Sequence, residues 1–390
     1  MSSHSSIMQL VRLRSKDELL SAAGAYDDLW RRSEVALPAA RAESLAAWLD
    51  RFAPRRPFEL LVVVDAGRWS AALPLVGGWL KGLLPAACLP VSAWWTSGEL
   101  LLDPEADQSA ALDRLLAGFA DLKRPLVWLD AVRFTAPRWQ ALIAAAERAN
   151  MPCSVQPQGA IGQVEIDGDW GAYQGRWSKG HRRKMKNVRR KAEAAGGVQL
   201  RCCDRLEADE VGRLVRAAFE LEHRGWKGAA AGSVLSQPGM LEYYCEQGRR
   251  MAAAGCLELA FLEHRGEPIA FEYGLAAKGV YYSYKVAYDE RFAELTPGQL
   301  LRFQLLERFH SAPERTLVDF AGPLAEATAK WSTRVEPVGR LVFGAPTWSG
   351  RLLGGMYRSW RRKLGSGPPR DAALQPSVRL RSPAPAGHSI

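Results

Sequence analysis

The chain has no C-x-x-C pair and no unbroken apolar run long enough to cross a bilayer. Its six cysteines (Cys88, Cys153, Cys202, Cys203, Cys245 and Cys256) follow no regular spacing, which argues against a disulfide scaffold or a zinc site and fits a reducing compartment. The most apolar region, residues 71–95, is broken by Pro74, Gly77, Gly78, Lys81, Gly82, Pro85 and Pro90. A spanning helix needs about 20 mostly apolar residues. The segment before Glu18 lacks an apolar core of the secretory kind. The expectation is a cytoplasmic protein with no membrane span and no metal.

Acidic residues are missing from one stretch. Arg176, Lys179, Arg182, Arg183, Lys184, Lys186, Arg189, Arg190 and Lys191 run together with no carboxylate among them. A second group, Arg358, Arg361, Arg362, Lys363, Arg370, Arg379 and Arg381, holds only Asp371. These two patches more than account for the net charge of +10, so the remainder is near neutral and the protein is not a uniformly basic nucleic-acid coat. Three readings of the run at 176–191 stand: a solvated helix face, recognition of an anionic partner such as a coenzyme phosphate, an acyl carrier protein or a lipid-linked sugar diphosphate, and nucleic-acid binding. Trp177 is its only aromatic residue, so no stacking platform for bases is evident.

The 390 residues, 47% of them hydrophobic, suit two domains with sizeable cores. The pattern is mixed α/β. Helices are predicted over DELLSAAGAYDDLWRRS and PAARAESLAAWLDRF, a hairpin turning at residues 65–68, then strands and helices to GQVEID. From Asp169 a basic helical segment runs to Gly196-Gly197, followed by a strand and two helices. Two similar halves joined by the basic segment are expected: residues 1–165, a connector 166–197, residues 198–345, and a basic, largely disordered tail 346–390.

Residues 257–320 carry the most information. They read as three strands, a helix opening at Pro297-Gly298, and a further strand TLVDFAG. This order puts a helix N-terminus just past a central strand. Amides of Gly298, Gln299, Leu300 and Leu301 there suit a diphosphate, with Pro297 fixing the helix start. A plain helix start with no ligand is the competing reading. Backbone groups of Val286, Ala287 and Tyr288 can hold an extended thioester arm by strand addition, with an amide near Ala287 for the developing oxyanion. Glu272 and Asp319 are acids within apolar strands. Burial would raise their pKa toward that of a general base; alternatively, Glu272 points to solvent from an edge strand and Asp319 caps the next turn. Alternation puts Tyr282 and Tyr284 on one face and Ser283 and Lys285 on the other. Tyr284 and Lys285 then line an acceptor pocket or belong to core packing and a solvated lysine. His223, beside Trp226, forms an acceptor wall or serves as a helix-dipole partner.

Several motifs resemble, in order, the CelD/BcsL-type acyltransferases of the GNAT superfamily: the segment from Asp169 to Val198, Gly225-Trp226-Lys227-Gly228, Gly266 to Phe271, Tyr284 to Asp289, Thr296 to Leu301, and Val318 to Gly322. The resemblance implies tandem GNAT-like domains related to Fem-type peptidyltransferases, with the acyl donor on the C-terminal one. It implies an acyl-CoA-dependent N- or O-acyltransferase, probable donor acetyl-CoA, acting directly on an amine or hydroxyl of a sugar or envelope or exopolysaccharide precursor. The candidate site residues, taken from their own positions, are Glu272, Asp319 and Tyr284 for catalysis and His223, Trp226, Lys227, Lys285, Lys330 and Trp331 for the acceptor. Two departures keep alternatives open. The tyrosine of the family's Tyr-Lys-x-x-Trp element is missing before Lys330-Trp331, and the strict phosphate signature Arg/Gln-x-x-Gly-x-Gly/Ala is replaced by Thr296-Pro297-Gly298-Gln299. The alternatives are an aminoacyl-tRNA-dependent Fem-like transferase and an inactive scaffold in polysaccharide assembly.

Overall fold

Ala66 and Gly67 both take positive φ (48° and 81°), the geometry of a tight hairpin turn, and fold the apolar run after Phe58 back on itself. Around that hairpin the computed structural model, which describes residues 8–80, 82–203 and 206–363, builds the first of two compact units. Unit 1 comprises the chain up to Val35, Ala39–Gly159, and everything from Val338 onward; unit 2 comprises Ala160–Pro337 with the short Ala36–Pro38 segment.

The first half of the chain runs β1 (Gln9–Leu13), α1 (Lys16–Ser21), α2 (Ala23–Arg32), α3 (Ala42–Phe52), β2 (Phe58–Asp65), β3 (Arg68–Leu80), β4 (Leu84–Cys88), β5 (Leu101–Leu102), α4 (Gln108–Ala117), β6 (Leu126–Val132), α5 (Pro137–Arg148) and β7 (Cys153–Glu165). The second runs α6 (Trp170–Gly175), α7 (Lys179–Ala194), β8 (Gln199–Cys203), α8 (Ala208–Arg224), α9 (Trp226–Ala229), α10 (Met240–Ala253), β9 (Leu257–His264), β10 (Glu267–Ala277), β11 (Val280–Tyr288), α11 (Pro297–His310), β12 (Leu317–Asp319), α12 (Glu326–Ala329), β13 (Arg334–Gly344) and α13 (Trp348–Lys363).

Within unit 1 the strand order is β1-β2-β3-β4-β6-β13, and within unit 2 it is β8-β9-β10-β11-β12-β7. The two orders have the same sense at every step: three antiparallel pairings, one short parallel pairing (β4 with β6, β11 with β12), and one antiparallel pairing. The duplicated α/β architecture expected from the sequence is therefore present in the strand order. Each half also lends its final strand: the end of β7 pairs with β12 in unit 2, and the end of β13 pairs with β6 in unit 1.

Three expected boundaries differ for this reason. The basic segment 166–197 is not a free connector, because His181, Met185, Val188 and Ala192 of α7 bury one helical face in the unit 2 core. Unit 2 begins at Ala160, and residues 338–345 belong to unit 1. The expected disordered tail begins with a helix, α13, over Trp348–Lys363; the rest of that expectation lies outside the described residues. β1, β4 and α13 were not anticipated.

In unit 2, α7 and α11 cover one face of the sheet and α8 and α10 the other; Phe219, Tyr244 and Tyr273 pack together on the α8 side. Gly274 of β10 lies under the ring of Tyr281, where a Cβ would collide with the aromatic carbons and hydroxyl. Tyr281 is fully enclosed against Phe309. Gly274→Ala is expected to lower stability by about 1–3 kcal/mol, read as a shift in urea midpoint at unchanged m-value.

Candidate active site

β11 and β12 pair over only three residues each, Val280–Tyr282 with Leu317–Asp319. β12 then leaves the sheet. The Asp319 carboxylate accepts the Ala321 amide (2.8 Å) and the Gln163 side-chain amide (2.7 Å), Ala321 takes φ 54°, and Phe320 donates to the Gly162 carbonyl. β11 continues to Tyr288 on its β10 side alone, so among the described residues no strand pairs with Ser283–Tyr288 on the other side. Asp319 thus acts as the cap of its turn and hydrogen-bonds to β7.

A β-bulge at Tyr284 changes the expected faces. Tyr273 pairs with Lys285 and Gly274 with Ser283, leaving Tyr284 as the extra residue. Simple alternation fails there: Tyr284 lies near Tyr243, Tyr244 and Tyr273, and the Lys285 ammonium also sits over the Tyr244 ring at 5.7 Å. Tyr284 and Lys285 therefore share the α8–α10 face. Beyond the bulge, Asp289 donates to the Ile269 carbonyl, which fixes the ladder's phase. By antiparallel alternation the Ala287 amide turns to β10, and the outward main-chain groups are those of Val286 and Tyr288. The amide expected to face the gap near Ala287 is therefore turned inward, and the nearest outward amide is that of Val286.

On that outer side the Lys227 ammonium bonds Glu222 (2.9 Å) and the Val286 carbonyl (3.2 Å), while Glu222 also accepts the Val234 amide (2.9 Å). Gly225 approaches the Tyr288 carbonyl so closely that a Cβ would stand 2.9 Å from it. Lys285 is pushed down to about 8 by burial, reinforced by Lys227 and opposed by Glu222. Glu222, only 2% exposed, shares the buried face of α8 with Val211, Leu214, Val215, Ala218 and Phe219. Its signal was that an acid held such a position.

Glu272 lies on the opposite face, toward α11. It is 3% exposed on a central strand, not solvated on an edge. Burial raises its pKa, against the Arg302 charge and hydrogen bonds with Ser283 and Tyr281. Arg302, which the sequence reading missed, lies over the Phe320 ring. The sheet consequently separates Glu272 from Tyr284 and Lys285, and Asp319 stands apart from both.

At the far end of the gap Thr296, a β-branched residue, takes the left-handed conformation (φ 57°, ψ 54°) immediately before Pro297 opens α11. Such strain is commonly held at ligand clamps. Gln299 and Leu300 both donate to the Thr296 carbonyl, and Leu301 follows inside the helical ladder. The expected fan of four amides narrows accordingly to that of Gly298, while Leu300 and Leu301 bury their side chains. Beside Thr296 a surface pocket of about 410 Å³ is lined by Arg183, Lys184, Asn187 and Lys191 of α7, with Glu294.

His223 bonds Ser233 through Nδ1 (2.8 Å). Trp331 belongs to the core, packed on Trp177 and His181, because so large an apolar ring is enclosed by α7; it does not line a surface. Lys330 is half-buried near His181. The Trp226 side chain lies outside the described residues. Among those residues no group of metal-ligating side chains is found.

Residues 179–327 match the family profile of the acetyltransferase (GNAT) domain. No curated protein matches the sequence. Among solved structures, FemX is similar at 10% identity and TM-score 0.55, over 90% of this chain and 100% of that one. A conserved protein of unknown function from Bacteroides thetaiotaomicron is similar at 12% identity and TM-score 0.53, over 83% and 97%. The C-terminal domain (DUF2156) of a protein described as a lysylphosphatidylglycerol synthetase from Agrobacterium fabrum is similar at 11% and TM-score 0.50, over 87% and 96%. At these identities the likeness is one of fold, and the fold is that of GNAT-type acyltransferases.

Two measurements probe the buried charges. Glu222→Ala strands Lys227 and the Val234 amide and should cost about 2–4 kcal/mol in urea unfolding. Glu272 binds its proton more tightly folded than unfolded, so its contribution to stability falls as pH rises from the ordinary glutamate range toward its raised pKa. Glu272→Gln should gain stability relative to the parent on going from about pH 4 to about pH 8; an unchanged difference would mean the site is not desolvated.

Proposed function

We propose that this GNAT-fold acyltransferase takes its acyl group from coenzyme A, with acetyl-CoA as donor, and passes it to an amine or hydroxyl of a sugar or an envelope or exopolysaccharide precursor in the cytoplasm. The observation that carries the reading is the parting of β11 from β12 with the first turn of α11 at its mouth. In this reading the amide-bearing arm lies along Val286 and Tyr288, with Lys227 releasing the Val286 carbonyl as the arm arrives. The Gly298 amide and the positive end of α11 take the diphosphate, and Arg183, Lys184 and Lys191 take the remaining phosphate charge. The Val286 amide faces the thioester oxygen. The acceptor attacks the carbonyl carbon, the new C–N or C–O bond replaces C–S, and the thiolate leaves. Lys285, pushed down to about 8 by burial and lying on the acceptor's own face of the sheet, accepts the acceptor's proton through a water; Glu272, across the sheet, does not reach it. Tyr284, Lys285 and His223 form the acceptor wall, and Asp319 positions it indirectly by ending β12.

A second reading, transfer from aminoacyl-tRNA, is favoured by α7. Among the described residues no carboxylate pairs with Lys179, Arg183, Lys184, Lys186, Arg190 or Lys191, a row about 18 Å long at 1.5 Å per residue, more than one coenzyme needs.

Calorimetry separates the two. Acetyl-CoA should bind the parent, and Gly298→Glu should weaken it at least about tenfold, since a carboxylate would face the diphosphate. A Cβ at Gly298 meets only a Tyr288 ring carbon at 3.7 Å, so the variant should fold. Absence of acetyl-CoA binding, with tRNA retained at low salt and released at high salt, would transfer the conclusion to the second reading.

A further inference from the structure

The helix α13 presents its apolar stripe to solvent. Trp348, Leu352, Met356 and Trp360, spaced by four, are 81%, 48%, 60% and 52% exposed. The other exposed large apolar side chains of the described residues are scattered along the chain. The inward face is made of small residues: a Cβ at Gly350 would meet the Ala345 and Pro125 carbonyls, and one at Gly354 would meet Gly344 and Pro152. Tyr357 anchors that face through Trp128 and Gln156. The helix is thus held against unit 1 by its glycines with its tryptophans turned out, the reverse of an ordinary surface helix.

Charge identifies the occupant. Residues 348–363 contain no acid, and Arg351 and Arg358 flank the apolar stripe with Arg361, Arg362 and Lys363 following. The chain beyond is also basic, with Arg370, Arg379 and Arg381 against Asp371. Neither that segment nor a second copy of this helix complements the face. At 16 residues α13 is about 24 Å long, and among the described residues no helix is long and apolar enough to cross a membrane. Tryptophan at both ends, aliphatic residues between and arginine along one side are the requirements of a helix lying in the plane of a lipid headgroup layer. We infer that α13 docks this protein on an anionic membrane surface, with Trp348, Leu352, Met356 and Trp360 inserted and Arg351 and Arg358 on the headgroup phosphates.

The test is flotation of the full chain with vesicles of phosphatidylcholine alone or with about one third phosphatidylglycerol. Binding is expected to the anionic vesicles. Trp348→Ser/Trp360→Ser should weaken it about tenfold or more with the circular dichroism spectrum and melting unchanged, since both side chains are exposed. Arg351→Gln/Arg358→Gln should lose the preference for anionic lipid, whereas Lys186→Gln/Arg190→Gln on α7 should float like the parent. No flotation of the parent, or undiminished flotation of the tryptophan pair, overturns the inference. Loss of a dimer in light scattering on the tryptophan substitutions, without an effect on flotation, would assign the face to a second copy.

Discussion

The three-residue ladder between β11 and β12 is the constraint on which the site depends. A longer ladder would satisfy the outward groups of Val286 and Tyr288 within the protein and leave no edge for a ligand. Its length is set by Asp319, whose carboxylate holds the Ala321 amide and the Gln163 side chain and so turns the chain away. The bulge at Tyr284 does the same for the other strand, adding a residue just where the ladder ends. Unit 1 shows the contrast. There the matching ladder, Ala86–Cys88 with Leu126–Trp128, is equally short, but β4, the strand equivalent to β11, ends with it, and it is β6 that runs on, to Val132. The fold is duplicated, yet the strand that outruns the ladder differs between the two units.

The gap also divides charge between the two sides of the sheet. On the α8–α10 side burial, with the Lys227 charge beside it, keeps Lys285 from holding its proton as an exposed lysine does, and Glu222, paired by contact with Lys227, opposes this only in part. On the α11 side Glu272 lacks a close ion pair and is driven toward its neutral form. A group that gives up its proton easily thus faces one side and a group that takes one easily faces the other. Such divergence between neighbouring titratable groups is characteristic of acid–base sites. It arises from which helices cover which face, not from sequence proximity of the groups.

This explains what was legible beforehand. The order of elements in 257–320 was readable because apolar periodicity and Pro297 are local signals. Glu272 and Asp319 stood out as acids within apolar strands. The face of Lys285 was not readable, because a bulge inserts one residue without any glycine to announce it. The role of the Ala287 amide failed for a related reason: the phase of antiparallel hydrogen bonding is set by register against β10, which one strand does not reveal. Trp331 looked like part of a surface motif, but its environment is made by α7, more than 130 residues earlier. Unit boundaries were misplaced because β7 and β13 each finish the other half's sheet, and a linear reading assigns a strand to the segment it follows.

Charge balance on α7 bears on the donor. Elsewhere arginines find carboxylates: Arg138 with Glu34 and Glu99, Arg315 with Glu258, Arg291 with Glu267 and Asp289. On α7 Arg182 bonds the Gln174 and Gly175 carbonyls and Arg189 lies over the Phe303 ring, but among the described residues no carboxylate pairs with its other cations, which stand at intervals of three and four, where like charges repel by a few tenths of a kcal/mol per pair. Burial of His181, Met185, Val188 and Ala192 holds the helix together despite that repulsion. The same burial fixes the row of cations next to Thr296. Because the backbone under the row is held by the core, an anion arriving there would meet cations whose helix is already in place.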